Sequence, residues 1–405
     1  MVRTDDDVAS SVAATLQLGP PGTIGAELEW FAADPADPLA RPPVERVART
    51  LAAVALPGRS LLSTEPGGQV ELSSVPLPGP QAAVDALAAD LRVVRAALGR
   101  AGVVLRGGGT DPVRLPERVL DTPRYACMEA FFLADGGPSG DAGRAMMCST
   151  AAVQVSVDAG TAGTGAQSAT GRWQRAHAIG PALVAAFACS PLLAGRRTGW
   201  RSTRQELWAR IDPSRTRPPS PELGPVEAVT RMAMDARLLT VRDDDGVCRA
   251  APPLTFGEWV AGGLLRPPRE EDLRYHLTTL FPPVRARGWY EVRYLDGLPD
   301  PLWQVAVAVV AALLDDDRAG DRARAACEPV EGRWGAAARA ATGDPELARA
   351  ATRCLVAAAD ALPRLGAPAL AAWVAAYAEA YPARGRCPAD DVLDAWRPVR
   401  TAVPA

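Results

Sequence analysis

Apolar and polar residues alternate in four stretches before Pro301, and the alternation predicts strands, because successive strand side chains face opposite ways. In Ile24–Phe31, Ala26, Leu28 and Trp30 fall on one side, Glu27 and Glu29 on the other. In Gln69–Ser73, Val70 and Leu72 oppose Gln69, Glu71 and Ser73. Thr150–Asp158 sets Val153, Val155 and Val157 against Gln154, Ser156 and Asp158, and Trp289–Asp296 places Glu291 and Arg293 on one face. Residues 59–64 and 103–106 read as shorter strands. Between them, Val84, Leu87, Leu91, Val94 and Leu98 recur at helical spacing over 81–99 and stop at Gly99 and Gly102. Helices are also predicted over 44–54, 121–133, 166–189 (with His177), 226–234 and 255–262.

Residues 238–241 and the Asp243-Asp244-Asp245-Gly246 turn suggest a hairpin. Residues 1–20 read as a disordered lead-in with a turn or two of helix. Gly107-Gly108-Gly109 after a short strand could cradle phosphate or simply turn the chain. Beyond Pro301 the chain is almost wholly Ala-rich helix. Strands with one polar and one apolar face fit an α+β fold, an antiparallel sheet with helices on one face and ligand on the other. We expect a lead-in over 1–20, a catalytic domain over 21–300 and a helical part, 301–405, packed on that domain.

Composition narrows the options. The 405 residues are 48% hydrophobic and carry a net charge of −3, with no long basic run, which speaks against nucleic-acid or anionic-membrane partners. The longest apolar runs are too short to span a bilayer, and the acidic N-terminus lacks a signal-peptide pattern, so a cytoplasmic location is expected. Seven cysteines, an odd number with no CxxC pair, argue against a disulfide framework or a structural zinc site. Lysine is absent, which removes P-loop, kinase-type and Schiff-base chemistry. Any clamp on phosphate or carboxylate must use arginine.

Taken singly, a Glu-x-Glu strand is usually a solvated face, Glu65-Pro66-Gly67-Gly68 a turn, and His276 a core histidine. Jointly, Glu27, Glu29, Glu65, Glu71 and Glu291, with Gln154 and Asp158, suit magnesium, which takes a few carboxylates plus substrate phosphates. Glycoside hydrolysis also uses paired carboxylates, but there are more acids than it needs, and aromatic content is only 5%.

Gly25-Ala26-Glu27-Leu28-Glu29, Glu65–Ser73, Met147–Asp158, Ser190-Pro191-Leu192, Gly199–Trp208, His276–Pro282 and Glu291-Val292-Arg293 resemble, in order, the glutamate–cysteine ligase family of plants and bacteria. Within it the chain looks most like the actinobacterial branch, whose product feeds ergothioneine biosynthesis. The resemblance implies a glutamine-synthetase-like antiparallel sheet funnel. It implies ATP and Mg2+ as cofactors, with L-glutamate and L-cysteine as substrates. By position, Glu27, Glu29, Glu71 and Glu291 would bind metal. Glu65, Gln154, Arg124 and His276 would bind nucleotide, and Arg293, Arg204 and Glu291 would act in catalysis. Monomer or weak homo-oligomer is expected. Arg237 and Tyr294-Leu295-Asp296 depart from the family pattern. A carboxylate–amine ligase with another acceptor and an inactive glutamate- or nucleotide-binding relative are the alternatives.

Overall fold

The Glu27/Glu29 stretch becomes the centre of an eight-stranded sheet in the computed structural model, which describes residues 1–134, 137–243, 245–264 and 266–397. Its strands are β1 (Thr23–Ala33), β2 (Leu61–Thr64), β3 (Gln69–Ser73), β4 (Leu77–Pro78), β5 (Val104–Arg106), β6 (Ala152–Asp158), β7 (Val284–Ala286) and β8 (Trp289–Asp296). The order is β7-β8-β6-β1-β3-β2, antiparallel throughout. Two short strands extend the pairing along β1: β4 at Thr23 and Ile24, β5 at Phe31–Ala33.

Register follows the alternation. Glu29 faces Glu71, and Glu27 sits between Ser73 on β3 and Gln154 on β6. A one-residue slip would bury these carboxylates in the core, so the pattern specifies the pairing. The apolar face (Ile24, Leu28, Trp30, Val70, Leu72, Val155, Tyr290 and Val292) shares one core with the helices Gly79–Arg100 and Leu302–Asp315. Val305 to Leu314 are all buried, so that helix is apolar on every side. It lies between the sheet and the Pro345–Ala361 helix, and each fully buried aliphatic side chain there stabilises by roughly 1.5–3 kcal/mol.

Two local readings change and two are sharpened. Residues 5–15 form a regular helix, fastened by a capping box between Thr4 and Asp7 and by Val8 and Val12, buried in a cluster with Phe256 and Trp259. The helix expected over 166–189 is two, Ala169–Ala178 and Gly180–Phe187. Pro181 has no N–H to continue the ladder, and the ring of Trp334 fills the space a Gly180 side chain would need. The turn at Gly107–Gly109 serves packing: a Cβ on Gly107 would stand 2.5 Å from the Leu298 carbonyl, and one on Gly109 2.5 Å from the Asp296 carboxyl carbon. Thr240–Arg242 and Cys248–Ala250 pair as a hairpin; Asp244, in the expected turn, lies outside the described residues.

Candidate active site

The Pro-Gly-Gly bend sets the first acid. Glu65 and Gln69 close a hairpin around Pro66, Gly67 and Gly68, with Gly68 at φ +83°. Gly67 is needed for a different reason: a Cβ there would lie 2.1 Å from the Cys148 carbonyl oxygen. The buried Gln69 amide accepts from the Gly67 N–H (3.0 Å) and donates to the Thr150 carbonyl (2.8 Å). The bend is thereby fastened to the start of β6.

A polar relay then crosses four strands. Arg285 on β7 donates twice to Glu291 on β8, at 2.6 and 3.0 Å. Arg293 donates to Glu291 (3.0 Å) and to the Gln154 carbonyl oxygen on β6. The Gln154 amide donates to Glu29 on β1 (2.9 Å), whose other oxygen accepts the Ala152 N–H at 2.9 Å. On β3, Glu71 accepts from Ser63 and Ser73, at 2.8 and 3.2 Å.

Arg293 owes its position to a bulge. β8 runs one residue longer than β6 between Val292 and Leu295. The carbonyls left over are held by the helix Thr203–Arg210: Arg204 Nη2 donates to the Arg293 carbonyl (2.8 Å) and Gln205 to that of Tyr294 (3.0 Å). That helix is anchored by Asp296, which accepts from the Cys189 N–H and the hydroxyls of Ser190 and Ser202 at 2.7–2.8 Å. Ser190 in turn accepts the Arg204 N–H at 3.1 Å.

Above this face lies a cavity of about 340 Å³. Glu27, Glu29, Glu65 and Glu71 face five guanidiniums there: Arg124, Arg204, Arg285, Arg287 and Arg293. The opposite wall is soft and apolar, built from Tyr125, Met128, Met146, Met147, Trp208 and Phe281. Arg124 is held over it by the hydroxyl and carbonyl of Thr278, both at 3.2 Å.

The charges do not cancel. Burial first, then the Glu291 and Glu71 carboxylates, push Glu27 up to about 7. Burial and Glu71 push Glu65 to about 7 as well. Burial, Glu71 and Glu65 hold Glu29 well above the usual range. Burial would raise Glu291 too, but Arg285 and Arg293 outweigh it and hold it at about 2. Arg204 is only 3% exposed, and its Nη1 has no hydrogen-bond partner. An orphan buried donor costs about 1–3 kcal/mol, more when charged, so this atom awaits an anion. Crowded, partly protonated carboxylates await cations.

These residues fit a divalent cation held together with phosphates. Among the described residues no three histidine, cysteine or acidic side chains form a ready-made cage, and magnesium usually takes one or two carboxylates plus substrate oxygens.

The sheet and its loops bring Glu27, Glu29, Glu65, Glu71, Gln154, Arg124, Arg204 and Arg293 to one chamber. Glu291, expected as a metal ligand, lies 1% exposed beneath the lining, its carboxylate turned onto two arginines. His276, expected near the nucleotide, does not line the cavity. Its Nε2 meets the Ala233 carbonyl at 3.0 Å, its ring stacks on Phe256, and burial with Arg215 nearby lowers it to about 3. Asp158 sits at the far end of β6, accepting from Gly22 and Thr23. The sequence reading missed Arg285, Arg287, Trp208 and the methionine wall. Arg285 had a signal: Val284-Arg285-Ala286 alternates and the Arg287-Gly288 turn follows, which makes it the hairpin partner of β8.

A sheet that presents acids and guanidiniums to one chamber is the equipment of a ligase, which must bring two anionic reactants together. The sequence matches the profile of glutamate–cysteine ligase family 2 over residues 23–403. It is 43% identical to the glutamate–cysteine ligase EgtA of Mycobacterium tuberculosis, over 96% of this chain and 90% of that protein. The chloroplastic glutamate–cysteine ligase of Brassica juncea is 29% identical over 64% of this chain and 51% of its own. A Francisella tularensis glutamate–cysteine ligase, solved in complex with AMP, shares the fold with a TM-score of 0.51 at 11% identity, covering 93% of this chain and 85% of that one. The chain belongs to the glutamate–cysteine ligase family, and it is an enzyme of that kind.

Proposed function

We propose that the chain joins the γ-carboxylate of L-glutamate to the amine of L-cysteine at the cost of ATP, giving γ-glutamylcysteine, ADP and phosphate. The γ-carboxylate attacks the γ-phosphorus of ATP, and ADP leaves. The cysteine amine then attacks the acyl carbon of γ-glutamyl phosphate, loses a proton, and phosphate departs. Glu27, Glu29, Glu65 and Glu71 are the candidates to hold Mg2+, which when bound neutralises phosphate charge. Arg204 and Arg293 accept the anionic charge that builds up on the transferring group, and Glu291 and Gln154 keep Arg293 aimed. Arg124 stands ready for a substrate carboxylate. No protein nucleophile is required.

The observation that carries this reading is one chamber in which both signs of charge lack partners: Arg204 Nη1 has none, and Glu27 and Glu65 titrate near 7. The fold neighbour solved in complex with AMP supports nucleotide use. We place the product in ergothioneine biosynthesis and the enzyme in the cytoplasm; among the described residues no helix is long and apolar enough to cross a membrane. We also propose a catalytic unit over 21–300, with the chain from 301 onward as a helical part of the same domain.

ADP release with ATP, glutamate and single amino acids, with and without magnesium, tests the proposal. Cysteine should be the preferred acceptor and turnover should require magnesium. Preference for another amine would make the chain a sister ligase; nucleotide binding without turnover on any amine would defeat the proposal.

A further inference from the structure

The helix Thr203–Arg210 borders a second chamber, of about 390 Å³, through Gln205, Glu206 and Trp208. Three tryptophans, Trp200, Trp208 and Trp334, and three prolines make its walls largely apolar. Between it and the acids lies a throat of about 30 Å³ past Trp208, room for about one water. A substrate lodged in the second chamber could not reach the reacting groups, so an occupant would act from outside the reaction. The walls suit a flat ring. Two charges flank them. The Glu206 carboxylate, 14% exposed and paired with Arg210 at 3.1 Å, has lone pairs for a further cation. The exposed Arg217 guanidinium pairs with no acid among the described residues and is open to a carboxylate.

We infer that this chamber binds a small zwitterion with an aromatic ring, the ring among the indoles, the cationic nitrogen at Glu206 and the carboxylate at Arg217, and that its occupancy alters glutamate use in the neighbouring chamber. The coupling runs through the strand that carries Arg293. The Pro283 carbonyl, on the lining, accepts the Arg293 N–H at 2.9 Å. Gln205 donates to the Tyr294 carbonyl at 3.0 Å, and the Trp334 ring meets that of Tyr294 edge-on at 5.5 Å. Trp208 lines both chambers, and its Nε1 has no acceptor to pin the ring. The binding site stands on this lining alone; only the coupling rests on the reaction proposed above.

Calorimetry with L-phenylalanine, phenethylamine and 3-phenylpropanoate separates the ring from the two charges. Phenylalanine should bind at least tenfold more tightly than either analogue. A Cβ on Gly335 would meet nothing within 4 Å, so Gly335→Leu should fold, fill the chamber and weaken phenylalanine binding at least tenfold. Arg217→Ala should weaken phenylalanine and leave phenethylamine within twofold. Saturating phenylalanine should change kcat/KM for glutamate at least threefold in the wild type and leave it unchanged in Gly335→Leu, whose own turnover should stay within twofold of wild type. Glutamate should shift the phenylalanine affinity by a factor that levels off, as reciprocal coupling requires. A shift that grows without limit would place phenylalanine in the catalytic chamber and overturn the assignment. Absent binding, or binding untouched by Gly335→Leu, would overturn it too, and binding with no kinetic effect would overturn the coupling. Phenylalanine binding to a chain that releases no ADP with any amine would defeat the proposed reaction and leave this site standing.

Discussion

Loading the site with magnesium and nucleotide should expel protons, and the number expelled should fall as pH rises. Glu27 and Glu65 each titrate at about 7 in the ligand-free protein. A cation binds the ionised carboxylate, so whatever protons these groups carry must leave. At pH 7 each is half protonated, and the pair releases about one proton; nine-tenths occupancy at pH 6 gives about 1.8, and one-tenth at pH 8 about 0.2. Glu29, held higher by burial and by Glu71, adds to each figure. Calorimetry in buffers of differing ionisation heat reads the number directly. Magnesium–ADP prepared in excess magnesium has already shed the nucleotide's own proton. Glu27→Gln should lower the count at pH 7 by about half a proton. Binding heats that do not depend on the buffer at pH 6 and 7 would refute the reasoning, because the carboxylates would then be ionised beforehand or untouched by the ligand.

Stability without ligand should depend on pH in two windows. Glu27 and Glu65, raised above the ordinary 4.5, cost stability as pH climbs from about 4.5 to about 7, whereas Glu291, held at about 2, contributes stability above 4.5 that is lost on acidification toward 2. Thermal melts should therefore peak near pH 4.5–5 and fall toward 7.5; melting points that rise across that interval would contradict the charge assignment. Glu71→Gln should cut ADP release at least a hundredfold while shifting Tm by less than about 3 °C; near wild-type turnover would remove Glu71 from the site. Arg293→Ala should lower kcat/KM for glutamate well over tenfold, since a charge-assisted hydrogen bond contributes about 1.5–3 kcal/mol, and an unchanged value would count against its role. Asp296→Ala strips the anchor from Cys189, Ser190 and Ser202 and should lower unfolding stability by roughly 2–4 kcal/mol in urea titrations; an unshifted midpoint would show the anchor to be dispensable.

Much of this was legible in the sequence because strand alternation is a local signal. Glu27, Glu29, Glu71 and Gln154 reach the cavity by parity alone, once Leu28, Val70 and Val155 are assigned to the core. What parity cannot show is a register break. The bulge that aims Arg293 leaves no mark in the Glu291–Asp296 pattern, and the arginine and glutamine that hold it come from a helix some ninety residues earlier. Nor does spacing reveal pairing. Glu291 reads like the other inward acids, yet Arg285 occupies it from the adjacent strand, a neighbour visible only once β7 and β8 fold together. His276 misled for a related reason: it lies two residues from Thr278, which does line the cavity, but that step is roughly half a helical turn and directs its ring at Phe256 instead. The N-terminal helix hid behind a low-complexity Asp and Ala run whose two buried valines only gain meaning beside Trp259.

The five guanidiniums around the chamber, in a chain without a single lysine, bear on self-damage. An acyl phosphate is an acylating agent, and a primary amine on the enclosing wall would be a ready trap for it. Guanidinium, protonated at every physiological pH, is a very poor nucleophile. In the proposed reaction, a γ-glutamyl group activated here would meet no side-chain amine of this chain and would await the incoming amino acid without forming an isopeptide scar. For the bench, amine-directed labels would mark this chain only at its N-terminus.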